Sequence, residues 1–68
     1  MRPTPGEIYV SPTDPALRLV VEHVSDPEPD GFFLVEVDDG ALCTELTNEE
    51  WAHWCKEMSL RPAQHADA

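Results

Sequence analysis

The sequence predicts an α+β domain: a four-stranded antiparallel sheet, or a small open SH3-like barrel, followed by one C-terminal amphipathic helix. Four short segments rich in strand-forming residues come first, and proline, glycine and aspartate separate them. A single apolar stripe with helical spacing comes after them. Since 68 residues can build only one core, we expect one domain over residues 7–60, between loose tails at residues 1–6 and 61–68.

The first two predicted strands are Glu7–Val10 and Leu17–Val24. The first consists mostly of strand-forming residues between Gly6 and the Ser11-Pro12 turn. In the second, alternate residues point to opposite sides of the sheet. Both sides then include apolar residues, with Leu17, Leu19, Val21 and His23 on one side and Arg18, Val20, Glu22 and Val24 on the other.

An acidic loop over residues 25–31 leads to the third and fourth predicted strands, Phe32–Val37 and Ala41–Leu46. Asp38-Asp39-Gly40 joins them as a tight turn, in which glycine allows a positive backbone angle. Because both faces of the sheet are partly apolar, curling into a small barrel with the helix at one end would cover more apolar surface. Alternation places Phe32 and Leu34 on the outer face of the sheet. It directs five side chains inward, those of Phe33, Val35, Val37, Leu42 and Leu46.

The best-marked element is a helix that begins after Thr47. Thr47 and Glu50 have the spacing of a capping box, in which each side chain binds the backbone amide of the other residue. Leu46 and Trp51 have the spacing of a hydrophobic staple, and Pro62 requires the helix to end before it. We expect both tryptophans to pack against the sheet, because they belong to a helical stripe of Trp51, Trp54, Cys55 and Met58.

The charge of the chain is strongly unbalanced, since 14 acidic and 4 basic residues give a formal net charge of -10. The acidic residues run from Glu7 to Asp67, so we expect no basic face. Binding to nucleic acid or to anionic membranes depends on lysine and arginine, which disfavours both as partners. The sequence has neither an apolar run that could span a bilayer nor the apolar stretch of a secretory signal. We therefore expect a cytoplasmic protein with reduced cysteines.

Three segments within residues 3–37 resemble a known group of proteins. They read Pro-Thr-Pro-Gly-Glu-Ile-Tyr-Val, Leu-Arg-Leu-Val-Val-Glu-His-Val and Phe-Phe-Leu-Val-Glu-Val. This pattern resembles short uncharacterised bacterial and prophage proteins with small barrel folds. Small acidic phage proteins are often inhibitors of host enzymes, including anti-CRISPR proteins and mimics of DNA. The resemblance implies an inhibitor, and it assigns no functional residue.

Two kinds of metal site can be tested against the spacing of the ligands. Asp26, Glu28 and Asp30 match the first half of a calcium-binding loop, but the twelfth position holds Val37 where such a loop needs glutamate. A zinc site would need Cys-x-x-Cys or His-x-x-x-His spacing. That spacing is absent from the candidate ligands Cys43, Cys55, His23 and His53. We therefore expect no metal and no cofactor.

An enzyme is the weakest of three functional hypotheses. The helical stripe places Cys55 in the core, where a thiol is poorly ionised and inert. Acid–base chemistry by a carboxylate pair stays open on residue type, but it requires a cleft that a domain of this size rarely has. No glycine-rich phosphate-binding loop or nucleophile motif is present in the sequence.

The favoured hypothesis is a non-enzymatic inhibitor or binding module that presents a negative surface to a basic protein, such as a nuclease, a toxin or an effector complex. The alternative is an accessory module that docks or forms a homodimer through an apolar patch of Phe32, Leu34, Val20, Val24 and one tryptophan. The carboxylates expected to bind the basic partner are Glu22, Asp26, Glu28, Asp30, Glu36, Asp38, Asp39 and Glu45.

Overall fold

The computed structural model of the protein describes residues 2–63 and has an α+β fold with five antiparallel strands and one helix. In chain order the elements are β1 (Ile8–Ser11), β2 (Asp14–Val24), β3 (Leu34–Asp38), β4 (Cys43–Thr47), α1 (Asn48–Met58) and β5 (Arg61–Pro62).

The strands form one open sheet in the order β4-β3-β2-β1-β5. The predicted count of four strands was low by one, because the chain returns to the sheet after α1. There the amide of Ala63 donates to the carbonyl of Ile8 at 2.7 Å, which holds β5 against β1. A strand of two residues has no alternation to recognise in a sequence. Because β4 and β5 are the two free edges of the sheet, the predicted barrel is not confirmed. The helix α1 is followed by β5, so it is not the last element of the chain.

The four longer strands agree with the predicted ones to within three residues at each end. β3 starts two residues later than predicted because the backbone of Phe33 binds the start of the helix instead of a strand. Its carbonyl accepts from the amide of Asn48 at 2.9 Å, and its amide donates to Asn48 Oδ1 at 3.3 Å. The buried side chain of Phe33 therefore lies where the sheet meets α1.

A shift in the register between β2 and β3 changes which residues of β2 face inward. The pairing passes from Val21↔Val37 to His23↔Glu36, so one residue of β2 is left over at the bulge. As a result Val24 is buried and His23 is exposed, opposite to the sides predicted by strict alternation. The inward prediction for Leu42 was also wrong: it lies in the turn before β4 and is 69% exposed.

The core lies between one face of the sheet and α1. Trp51 is buried, and Trp54 is half-buried against the same core, so both tryptophans pack on the sheet as expected. The three most enclosed side chains are valines of β2 and β3. The buried apolar residues are Tyr9, Leu19, Val21, Val24, Phe33, Val35, Val37, Leu46, Trp51 and Leu60.

Both ends of α1 are capped. The predicted capping box is confirmed: the Glu50 amide donates to Thr47 Oγ1 at 3.1 Å, and the Thr47 amide donates to Glu50 Oε1 at 2.8 Å. At the other end Ser59 adopts a left-handed conformation with φ 53°. This turn allows the Leu60 amide to donate to the carbonyl of Cys55 at 2.9 Å and directs Leu60 back into the core.

The described parts of the two predicted tails contact the sheet. The amide of Gly6 donates to the carbonyl of Val21 at 2.7 Å, and Pro3 is buried. At the C-terminal side Arg61 and Pro62 form β5. The rest of the predicted tails, residue 1 and residues 64–68, lies outside the described residues.

Candidate functional site

Four of the predicted partner-binding carboxylates lie together on the outer face of the sheet. On β3 and β4, Leu46 and Val35 are buried, so the residues that alternate with them point away from the core. The register places Glu36 opposite Glu45 and Asp38 opposite Cys43. Glu22 lies at the bulge of β2, where it is exposed and close enough for its charge to act on Cys43. We call this group, Glu22, Glu36, Asp38 and Glu45, the acidic sheet face.

The Cys43 thiol reports how closely these carboxylates approach each other. Cys43 is exposed on β4, an edge strand. Reduced hydration raises the pKa of its thiol, and the negative charges of Glu36, Asp38 and Glu22 raise it further. Two carboxylates of β3 and one from the bulge of β2 thus lie near Cys43 on the outer face.

The acidic sheet face contains an unfavourable pair of like charges. Glu36 and Glu45 are direct cross-strand partners, and like charges in that position destabilise a sheet. Within residues 2–63, the only ion pair joins Arg2 to Asp26, at 3.7 Å, in the loop that precedes β3. No cation of the described chain therefore forms a salt bridge with the acidic sheet face.

The three carboxylates of the loop between β2 and β3 lie apart from this face. Asp26 is paired with Arg2, whose guanidinium also donates to the carbonyl of Ser25 at 2.9 Å and 3.2 Å. Asp30 accepts a hydrogen bond from the Phe32 amide at 3.0 Å. Glu28 is exposed. The bonds from Arg2 to Ser25 and from Phe32 to Asp30 thus hold the loop in shape, and the exposed pair of Asp26 with Arg2 adds little.

Asp38 and Asp39 shape the turn between β3 and β4. The Gly40 amide donates to Asp38 Oδ1 at 2.7 Å. Asp39 Oδ1 accepts from the amides of Leu42 at 2.8 Å and Ala41 at 2.9 Å, and these bonds lower the pKa of Asp39. Both residues therefore have a local structural role whether or not they contact a partner.

The two most concentrated acidic segments are at opposite ends of β3. Asp30 precedes the strand and Asp38 is its last residue. A strand of this length extends about 13 Å between its first and last Cα atoms. The eight predicted carboxylates thus divide into three groups: the acidic sheet face, the loop of residues 25–33, and Asp39 in the turn.

The predicted apolar patch is not one continuous surface. Val24 is buried because of the bulge, and Trp51 is in the core. Val20 pairs with Asp38 at the far end of β3 from Leu34. Phe32 is 42% exposed, but it lies on the loop near the start of α1.

Two of the four basic residues, Lys56 and Arg61, lie at the β5 edge of the molecule. Val10 of β1 pairs with Arg18 of β2 on one side and with Arg61 of β5 on the other. Arg61 and Lys56 also border an open groove of about 530 Å³ between β5 and the second half of α1. Arg18 also borders a small hollow with Asp38 and Asp39, so one cation adjoins the acidic sheet face without forming a salt bridge with it.

The thiols do not form a reactive site in the described structure. Burial raises the pKa of the Cys55 thiol, which packs half-buried against the core. A raised pKa lowers the fraction of thiolate, the nucleophilic form, at neutral pH.

Within residues 2–63, no three histidine, cysteine, aspartate or glutamate side chains are arranged to hold a metal ion. In the same part of the chain, no helix is both long enough and apolar enough to cross a membrane.

The groove and its cations were missed at the sequence level. Leu60, Arg61 and Pro62 follow the helical stripe, and nothing in their pattern predicts that they return to the sheet. The anchoring of the acidic loop by Arg2 has no local signal either, because the two are far apart in the sequence.

Neither a protein-family model, nor a curated protein, nor a solved structure matches the chain.

Proposed function

We propose that the protein is a non-enzymatic binding module whose acidic sheet face contacts a basic surface of another protein. Suitable partners are proteins with a cationic groove, such as a nuclease, a toxin or a nucleic-acid-binding effector. The observation that carries this proposal is the register of β3 and β4, which places Glu36 opposite Glu45 and Asp38 opposite the exposed Cys43, without an ion pair to a cation of the described residues. Glu45 extends the same face on β4.

The density of charge on this face supports the proposal. The acidic sheet face extends across β2, β3 and β4, which is about 10 Å at the usual spacing of strands. Duplex DNA presents roughly six phosphate charges over the same length of its axis, at about one charge per 1.7 Å. Four carboxylates on one rigid sheet approach that density, so lysines and arginines arranged for DNA would gain contacts from them.

The internal repulsion of the face also favours a basic partner. Glu36 and Glu45 oppose each other across β3 and β4, and the folded chain pays for this pair with reduced stability. A guanidinium placed between the two carboxylates would change the repulsion into two charge-assisted hydrogen bonds. Binding would thus relieve the electrostatic repulsion between Glu36 and Glu45 in the free protein.

The test compares two triple variants with the same net charge. The first, Glu22→Gln/Glu36→Gln/Glu45→Gln, neutralises the acidic sheet face and leaves the turn residue Asp38 in place. The matched control replaces three exposed carboxylates elsewhere by their amides: Asp14→Asn, Glu49→Gln and Glu57→Gln. Each variant removes three charges from the formal net charge of -10. The probe is a fluorescein-labelled peptide of alternating arginine and alanine, and its binding is followed by fluorescence anisotropy.

We expect the first variant to weaken peptide binding by about tenfold or more, which corresponds to about 1.4 kcal/mol, and the control to bind like the wild type. We also expect wild-type affinity to fall between low and physiological salt, because exposed charges are screened over about 8–10 Å. Equal losses in both variants would mean that net charge alone attracts the peptide. An affinity independent of salt would exclude the electrostatic contact.

A further inference from the structure

The groove between α1 and β5 combines an apolar surface with a cationic edge. Its volume of about 530 Å³ lies within the range of sites that hold a large side chain or a small ligand. Lys56 and Arg61 are two of the four basic residues in the chain, and within residues 2–63 neither forms an ion pair. The apolar part of the lining includes Tyr9, Trp51, Ala52, Leu60 and Pro62.

The chemistry of the groove restricts its occupant. An apolar group would fill the space beside Trp51 and Leu60, and carboxylates next to that group would meet Lys56 and Arg61. The edge strand β5 is unsuited to binding another strand, because Pro62 lacks a backbone donor and the strand has two residues. Side chains rather than a backbone ladder must therefore supply the contact.

The loop before β3 exposes a segment with this composition. Phe32 is 42% exposed and follows Glu28 and Asp30. The loop is ordered by its own hydrogen bonds: the Glu28 amide donates to the carbonyl of Phe32 at 2.7 Å, and the Gly31 amide donates to the carbonyl of Glu28 at 2.8 Å. An aromatic ring held next to two carboxylates would lose little conformational entropy on binding.

We infer that the groove of one copy of this chain receives Phe32 of a second copy, with Glu28 and Asp30 facing Lys56 and Arg61. Insertion within one chain is excluded by the position of the loop. Phe32 lies beside Asn48 and Glu49 in the first turn of α1, whereas the groove is bordered by Lys56 near the end of the helix. The near end of the groove, at Trp51 and Ala52, is within one helical turn of this position, but its cationic end at Lys56 is about 10 Å further along the helix axis. The hydrogen bonds of the loop hold Phe32 and Asp30 at the first turn of α1, away from that end.

This contact joins two different surfaces of the protein. Two copies that exchange loops reciprocally form a closed dimer, whereas a single contact per pair leaves one loop and one groove free and continues to a ring or a chain of copies. The formal net charge of -10 opposes association at low ionic strength. At physiological ionic strength this repulsion is screened beyond about 8 Å, while the contacts in the groove are retained.

The experiment uses sedimentation velocity of the full chain at physiological ionic strength, from micromolar to millimolar concentration. We expect the average mass of the wild type to rise above that of one chain. Phe32→Ser removes the inserted ring and Lys56→Glu reverses a charge at the groove. Each variant should raise the concentration needed for association by at least about tenfold, or about 1.4 kcal/mol. Arg18→Glu is the matched control, since it makes the same change of charge at an exposed residue outside the groove.

The decisive step mixes the two defective variants. Phe32→Ser keeps an intact groove and Lys56→Glu keeps an intact loop, so the mixture should form a one-to-one dimer that grows no further. In nitrogen-15-labelled Phe32→Ser protein, adding unlabelled Lys56→Glu protein should shift the signals of Trp51 and Leu60. A wild type that stays monomeric at millimolar concentration, a mixture that fails to dimerise, or an Arg18→Glu loss equal to that of Lys56→Glu would each overturn the inference. Far-UV circular dichroism verifies that every variant is folded.

Discussion

The ring of Tyr9 meets the ring of Trp51 edge to face, with centroids 4.9 Å apart and an angle of 89° between the ring planes. Tyr9 comes from β1 and Trp51 from α1, so this contact joins the helix to the sheet. Both residues are buried. Such aromatic pairs add about 0.5–1.5 kcal/mol beyond the burial of their surface.

Trp51→Ala is expected to destabilise the fold by about 3–5 kcal/mol, because it leaves a large cavity and removes the contact with Tyr9. A domain of this length has a total stability of roughly 3–10 kcal/mol, so the variant will be close to unfolding. Trp51→Phe should lose less and stay folded. Trp54→Ala is the control, since Trp54 is half-buried. Urea unfolding followed by circular dichroism measures all three, and equal losses for Trp51→Ala and Trp54→Ala would contradict the central role of Trp51.

The phenol of Tyr9 should titrate far above its ordinary range. Burial, the negative charge of Glu7 and a hydrogen bond to Glu7 Oε1 at 3.2 Å raise the pKa of Tyr9 from 10.0 to about 12. Since Tyr9 is the single tyrosine of the chain, the absorbance of its phenolate can be followed without overlap from another tyrosine. A phenol that ionises at its ordinary pKa in the folded protein would contradict this environment.

The raised pKa of Tyr9 also links stability to alkaline pH. The unfolded phenol ionises at a lower pH than the folded one, so the contribution of the neutral phenol is complete below pH 10 and is lost as the pH rises through about 12. Glu7→Gln should lower the pKa of Tyr9 and leave it above 10.0, because burial is the largest cause. Urea unfolding across this pH range measures the loss, which should be smaller in the Glu7→Gln variant.

Thr47→Ala should cost about 1 kcal/mol of stability, since it removes the hydroxyl that accepts from the Glu50 amide. Thr47→Ser keeps the hydroxyl and should remain close to the wild type. Thermal unfolding of the two variants under identical conditions distinguishes the cap from a packing effect of the Thr47 methyl group. If serine were as harmful as alanine, the hydrogen bond would not be the source of the stabilisation.

The parts of the fold that could be predicted are those determined by local patterns. Thr47 and Glu50 are close in sequence, and their capping box forms as the spacing indicates. Val24 and Leu42 were assigned to the wrong side because strict alternation takes no account of the bulge in β2 or the turn before β4. β5 depends on the left-handed turn at Ser59 and on the distant strand β1, which a local pattern does not contain.

The candidate site follows the same division. The sequence indicates that Glu36 is outward, because it alternates with Val35 and Val37. It does not indicate that Glu36 faces Glu45, since cross-strand pairing depends on the register. Asp38 and Asp39 looked equivalent in the sequence, yet one lies on the acidic sheet face and the other in the turn.

Cys43 provides a direct measure of the acidic sheet face. Reduced hydration and the charges of Glu36, Asp38 and Glu22 raise the pKa of its thiol, so alkylation by iodoacetamide should be slow at neutral pH and should accelerate only at higher pH. The measurement uses a Cys55→Ser background, in which Cys43 is the single thiol. Glu36→Gln should lower the pKa of Cys43 and increase the rate at neutral pH, whereas Glu57→Gln on α1 should leave the rate unchanged. High salt should act in the same direction as Glu36→Gln because it screens the carboxylates. A rate that responds equally to both substitutions would show that the thiol senses net charge and not the neighbouring face.

An arginine-rich peptide bound to the acidic sheet face should either lower the pKa of the thiol by its positive charge or block the reagent. A rate identical with and without saturating peptide would place the binding site elsewhere on the protein.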